Sequence, residues 1–120
     1  MSNYTIKVEG DFSAAHNLRG YKGKCEALHG HNWKVEVKAS SEKLDKTGMV
    51  MDFKHLKMKL SKVLKQFDHT YINNISYFKK LNPTSENIAR YIYESLQFQT
   101  PGLQSVTVWE NSTSSATYEA

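Results

Sequence analysis

The chain reads as an α+β protein, an antiparallel sheet with helices on one face, and three features of the sequence predict it. Two long stretches near the N-terminus alternate polar and apolar residues with a period of two, two later stretches repeat apolar residues every three or four positions, and a return to alternation closes the chain.

The first strand covers residues 4 to 16. Tyr4, Ile6, Val8, Phe12, Ala14 and His16 share one parity, while Thr5, Lys7, Glu9, Asp11 and Ser13 share the other. A loop rich in Gly and Lys, Asn17 to Ala27, leads into a return strand with His29, His31, Trp33, Val35 and Val37 on one face and Lys34, Glu36 and Lys38 opposite. Residues 40 to 51 form a polar connection containing Gly48. From Asp52, a cap residue, the period changes: Phe53, Leu56, Leu60, Val63, Leu64 and Phe67 trace a helical stripe. Asp68 to Leu81 is irregular. Pro83-Thr84-Ser85-Glu86 opens a second helix with Ile88, Ala89, Ile92 and Leu96 as its buried stripe, and Pro101-Gly102 ends the connection after it. Val106, Val108 and Glu110 mark a third strand, and a short fourth near Ala116 to Tyr118 pairs back across Asn111 to Ser115. The expected architecture is one domain over residues 1–120, with a four-stranded antiparallel sheet and two helices on one face. Its open sheet edges would be satisfied by an oligomer that joins them.

Composition narrows the class. In 120 residues, 39% hydrophobic content with 12% aromatics is enough to close a core. No run approaches the roughly 18 apolar residues of a membrane helix, and Met1 to Val8 lacks the apolar stretch of a signal peptide, so a cytoplasmic location is expected. The net charge of +4 owes much to Lys54, Lys57, Lys59, Lys62 and Lys65, which fall in one predicted helix. They make a solvated face or attract a polyanion. Only two arginines, no Gly/aromatic RNA-binding signature and no cysteine-rich finger argue against nucleic acid.

The histidines carry the chemistry. His16, His29 and His31 all lie on the apolar parity of their strands, so three imidazoles point into one interior. Residues two apart on a strand project from the same side, and the glycine between His29 and His31 lets backbone approach. Three neutral imidazoles favour zinc and leave a fourth position for water or substrate, as a catalytic site requires. Cys25, the one cysteine, is either a fourth ligand closing a structural site or a base or nucleophile whose thiolate is favoured by the metal and by Lys22 and Lys24. Asp68-His69 forms either a proton relay or a helix-end cap. His55 falls off its helical stripe and belongs to solvent. Glu110 points inward, where it must meet a ligand's N–H groups or an internal cation. Glu86, in the first turn of a helix, has capping as its ordinary role.

Taken together, Phe12-Ser13-Ala14-Ala15-His16, Cys25-Glu26-Ala27-Leu28-His29-Gly30-His31, Asp52-Phe53, Asp68-His69, Pro83-Thr84-Ser85-Glu86-Asn87 and Glu110 resemble the 6-pyruvoyl-tetrahydropterin synthase family in order and spacing over nearly the whole chain. The three residues between Cys25 and His29 resemble the bacterial 6-carboxytetrahydropterin synthases of queuosine biosynthesis, whereas animal-type pyruvoyl enzymes are longer there. Lys22 stands where folate-pathway relatives place a glutamate. The resemblance implies a tunnelling fold, in which subunits join edge to edge into a trimeric barrel, two barrels stack into a homohexamer, and active sites lie between subunits. It implies Zn2+ on His16, His29 and His31; Cys25 as general base, with Asp68 and His69 as relay; and Glu110, Thr84, Ser85 and Glu86 around a pterin triphosphate substrate. A pyruvoyl synthase or another lyase of the same family is one alternative, and a non-catalytic zinc-stabilised binding module is the alternative of another class.

Overall fold

The computed structural model describes residues 2–20 and 27–120. Strand β1 (Tyr4–His16) and strand β2 (His29–Ser41) form the longest ladder, antiparallel from the Tyr4–Ser41 rung to the His16–His29 rung. Helix α1 (Phe53–Leu64), strand β3 (Thr70–Tyr71), helix α2 (Ser85–Leu96), strand β4 (Leu103–Asn111) and strand β5 (Ser114–Tyr118) follow, with short 3-10 turns between β3 and α2 and after α2. The sheet order is β3-β1-β2-β4-β5.

The sheet therefore has five strands rather than the expected four, and it is mixed rather than wholly antiparallel. The added strand, β3, runs parallel to β1 at Ala14 and Ala15. Its cause lies next to Ser13 on the edge of β1. The Ser13 N–H donates to Asp68 Oδ1 at 2.9 Å, and the His69 N–H donates to the Ser13 carbonyl at 2.6 Å, so the chain leaving α1 is drawn against that edge. Two residues are too few to leave a periodic signal, which is why the segment reads as irregular in the sequence.

Both helices cover one face, α1 over β1 and α2 over β4 and β5. The inward parity of the strands supplies Val8, Phe12, Trp33, Val35, Val37, Val106 and Val108, and the helices supply Leu56, Leu60, Ile88, Ile92 and Leu96. Phe12 stacks on Trp33 with centroids 5.7 Å apart, and Phe67 tilts against Phe12 at 5.1 Å. Phe53, expected in the α1 stripe, is 56% exposed at the first position of the helix, on the border of an open pocket it shares with Tyr4, Thr5 and Ile6 of β1. The Asp52 cap holds, accepting the Lys54 N–H at 2.9 Å; at α2 the cap is Thr84, which accepts the Asn87 N–H at 3.1 Å, with Glu86 in the first turn.

Two glycines are needed for distinct reasons. At Gly10 a Cβ would lie 2.9 Å from Leu64 Cδ1, so its absence lets α1 settle on β1. Gly102 has φ +79° and donates no room at all: a Cβ there would fall 2.3 Å from the Ser40 carbonyl oxygen, while the Gly102 carbonyl accepts the Ser40 N–H at 2.9 Å. Gly48 shares the positive φ, at +84°, but has nothing within 4 Å. Gly48→Ala should then lose only the left-handed backbone preference, about 1 kcal/mol, whereas Gly102→Ala should lose several times that. Urea unfolding of the two variants measures the difference, and equal losses would contradict the packing at Gly102.

Candidate metal centre

Register places the three histidines at one end of the β1–β2 ladder. His16 stands directly opposite His29, and His31 stands opposite Ala14, whose small side chain leaves space between the imidazoles. Glu110 lies on β4, one residue past the rung that joins Trp109 to Lys34. One ligating atom from each of His16, His29, His31 and Glu110 falls within 4.8 Å of all the others. Trp33 forms the floor: its indole meets His16 edge to face at 4.7 Å and His31 at 5.4 Å, and its Nε1 donates to the Ala14 carbonyl.

The tautomers follow from the carbonyls around the rings. His16 Nδ1 lies 2.8 Å from the Pro83 carbonyl oxygen and His29 Nδ1 lies 2.7 Å from that of Ala27. A carbonyl only accepts, so each Nδ1 carries the proton and each Nε2 offers a bare lone pair. Those two Nε2 atoms sit 3.1 Å apart. Glu110 Oε2 lies 3.4 Å from His16 Nε2, 3.9 Å from His29 Nε2 and 3.0 Å from His31 Nε2. The last contact is short, yet among the described residues the buried His31 Nε2 has no well-aligned hydrogen-bond partner.

Acceptors thus converge on acceptors. Such a cluster is stable only around a proton or a cation, and the spacing matches the ion: nitrogens held about 2.0–2.1 Å from a tetrahedral zinc lie roughly 3.3 Å from one another. The residues present fit a zinc ion on imidazole nitrogen. Burial pushes the pKa values of His16 and His31 down from 6.5, outweighing the pull of the Glu110 carboxylate, and so keeps both rings neutral as ligands must be.

The other expected residues are placed less tightly. Asp68 and His69 do pair, with Oδ2 and Nδ1 3.1 Å apart, and the Ser13 N–H holds the Asp68 carboxyl below the usual carboxylate range. His69 has φ +58°, the one positive value at a non-glycine among the described residues, and its side chain is exposed. The pair does not join the histidine cluster within this chain. His69 borders a concavity of about 450 Å³ that Ser13, Ala15, Gly30 and Asn32 line from one strand parity and Ala14 and His31 from the other. Thr84 and Ser85 sit at the start of α2 and Glu86 is exposed in its first turn. Cys25 lies outside the described residues, as do Lys22 and Lys24. Gly30 is not sterically required within the chain, since an added Cβ would meet only the Ala14 carbonyl oxygen at an ordinary 3.9 Å.

Sequence reasoning missed the two carbonyls that set the tautomers, because backbone oxygens have no residue signature and Pro83 stands 67 positions from His16. It also missed that Glu110 meets the imidazoles themselves rather than an internal lysine or arginine.

The lowered pKa values have a consequence for stability in the metal-free chain. His16 and His31 take up protons more readily unfolded than folded, so their contribution is full above about pH 6.5 and is lost as pH falls below it. The Tm of chelator-treated protein should drop between pH 7.5 and 5.5 more than that of a variant with both residues changed to Gln; parallel drops would contradict the buried neutral rings.

Known proteins resemble the chain throughout its length. A family model described as 6-pyruvoyl tetrahydropterin synthase matches residues 5–120. The 6-carboxy-5,6,7,8-tetrahydropterin synthase of Synechocystis sp. is 42% identical, with 96% of this chain and 92% of that protein aligned. A putative 6-carboxy-5,6,7,8-tetrahydropterin synthase of Archaeoglobus fulgidus is 43% identical over 88% of this chain and 87% of its own. Among solved structures, Caenorhabditis elegans 6-pyruvoyl tetrahydropterin synthase superposes with a TM-score of 0.89 at 34% identity, covering 100% of this chain and 97% of that one. On the strength of this agreement in sequence and fold, the chain belongs to the 6-pyruvoyl tetrahydropterin synthase family.

Proposed function

We propose that the chain is a zinc-dependent 6-carboxy-5,6,7,8-tetrahydropterin synthase, converting 7,8-dihydroneopterin triphosphate to 6-carboxytetrahydropterin with loss of triphosphate and acetaldehyde. The observation that carries the metal part is the meeting of the His16 and His29 Nε2 lone pairs at 3.1 Å with both Nδ1 protons committed to carbonyls. The carboxy branch is supported by the names of the similar proteins and by the three-residue spacing from Cys25 to His29.

In this reading His16, His29 and His31 would hold the zinc, which would supply Lewis acidity toward a substrate hydroxyl. Glu110 anchors the pterin through its adjacent N–H groups. Its carboxylate already borders the three imidazoles, so a pterin held there has its side chain beside them. Cys25 takes a proton from the side-chain carbon. His69 moves the proton onward: the Asp68 carboxylate accepts the Nδ1–H and orients the ring, which leaves Nε2 to receive. Thr84, Ser85 and Glu86 line the pocket. Because Asp68 and His69 stand outside the His16, His29, His31 and Glu110 group of their own chain, we read the complete site as one shared with a second copy of the chain. We read the assembly as a homohexamer of two edge-joined trimers; the outer edge of β1 before Ser13, which pairs with no strand among the described residues, and the edge strand β5 support that joining. No described helix is long and apolar enough to cross a membrane, and a cytoplasmic location remains our expectation.

One observation favours a closed structural site, with Glu110 rather than the Cys25 expected from the sequence as its fourth ligand: Glu110 Oε2 sits within 4 Å of all three imidazole nitrogens. Two variants separate the readings. Cys25→Ala and Glu110→Gln should each keep zinc at wild-type stoichiometry while kcat falls for the first by at least about a hundredfold, the scale of general-base loss, and KM rises for the second. Zinc lost from Glu110→Gln would favour the closed site. Chromatography of the wild-type reaction should show 6-carboxytetrahydropterin; a pyruvoyl or 6-hydroxymethyl product alone would contradict the carboxy assignment.

A further inference from the structure

Residues 17–20 lead the chain away from His16, and two asparagine side chains grip them. Asn73 Oδ1 accepts the Asn17 N–H at 3.1 Å while Asn73 Nδ2 donates to the Asn17 carbonyl at 2.9 Å. Asn82 repeats the arrangement two residues on: its Oδ1 accepts the Arg19 N–H at 2.9 Å and its Nδ2 donates to the Arg19 carbonyl at 2.9 Å. A carboxamide presents a donor and an acceptor side by side, as one backbone rung of a sheet does. Residues 17 and 19 are thus held with the two-residue spacing of a strand, but by side chains instead of a strand. The Arg19 guanidinium adds a bond to the Phe78 carbonyl at 2.6 Å. Asn73 is only 5% exposed, and its amide is used at both ends.

The grip bears on the metal centre through Pro83. Asn82 immediately precedes the residue whose carbonyl takes the His16 Nδ1 proton, and its own carbonyl accepts from Asn87 Nδ2 at 2.9 Å. The His16–Pro83 contact is therefore flanked on one side by Asn17 and Arg19, on the other by Asn82. Two amide hydrogen bonds tie Arg19 to Asn82 across the contact, and two more anchor Asn17 to Asn73, so the backbone on the His16 side is held at both points.

We propose that Asn73 and Asn82 are positioning residues for the metal site, fixing the backbone around the His16–Pro83 contact so that His16 Nε2 stays aimed at His29 and His31. The inference rests on the zinc reading above and concerns the affinity of the site, not the reaction. Outer partners of metal ligands typically set affinity by about tenfold to a hundredfold.

The test is zinc affinity by competition with a chromogenic chelator, measured on the full chain. Asn73→Ala and Asn82→Ala should each bind zinc at least tenfold more weakly than wild type. Because both act on one segment, the double variant should lose less than the product of the two. Asp52→Ala, which removes the α1 cap far from the histidines, controls for general destabilisation and should bind as wild type does. Should an alanine variant fail to fold, Asn82→Asp carries the test: it keeps an acceptor for the Arg19 N–H, lacks the donor to the Arg19 carbonyl, and should show an intermediate loss. Wild-type affinity in the asparagine variants, or an equal loss in Asp52→Ala, would overturn the proposal while leaving the zinc reading intact. A wild-type chain that binds no zinc would overturn both.

Discussion

Everything at the candidate centre depends on where two imidazole protons go. Pro83 and Ala27 each present a carbonyl oxygen to an Nδ1, and a carbonyl has no alternative to accepting. The Nε2 lone pairs are thereby committed inward, against each other and against the Glu110 carboxylate. The fold tolerates this unfavourable gathering because each element that contributes to it is secured elsewhere. The β1–β2 ladder is thirteen rungs long and places the histidines at its last rungs, on a floor formed by the fully buried Trp33. The segment before α2 is held by the Thr84 cap and the Asn82 amide. An electrophile at the centre converts the local repulsion into ligation.

Sheet and site are also coupled through what the sheet leaves undone. One face is buried under α1 and α2, and the histidines open from that face. The opposite parity carries Ser13, Gly30 and Asn32; the Ser13 N–H holds Asp68, and His69 and His31 both line the concavity there. Under the proposed function, an Asp68–His69 relay apart from the metal ligands has a use only when copies assemble, which would link the edges of the sheet to the chemistry.

Much of this was legible in the sequence, for reasons that differ by element. Strand β1 is read to its last residue because thirteen positions of alternation leave no doubt about parity, and the same parity turns His16, His29 and His31 inward. Asp52 and the Pro83-Thr84-Ser85-Glu86 run announce their helices because a cap acts within three residues. Longer-range effects leave no such mark. Strand β3 exists because Ser13 accepts and donates across 55 positions to a segment too short to show a period. Phe53 looks like a core residue by spacing and is largely exposed at the first position of its helix. The Asn73 and Asn82 grips join side chains to backbone more than fifty positions away, and an asparagine in a loop carries no sign of which backbone it will hold.

The central claim is that three imidazoles ligate one ion through Nε2. Anomalous diffraction at the zinc edge from crystals grown with zinc tests it most directly. The account predicts a single strong peak about 2.0–2.1 Å from the Nε2 atoms of His16, His29 and His31. A peak elsewhere, or one bonded to Nδ1 with the Pro83 and Ala27 contacts broken, would contradict it.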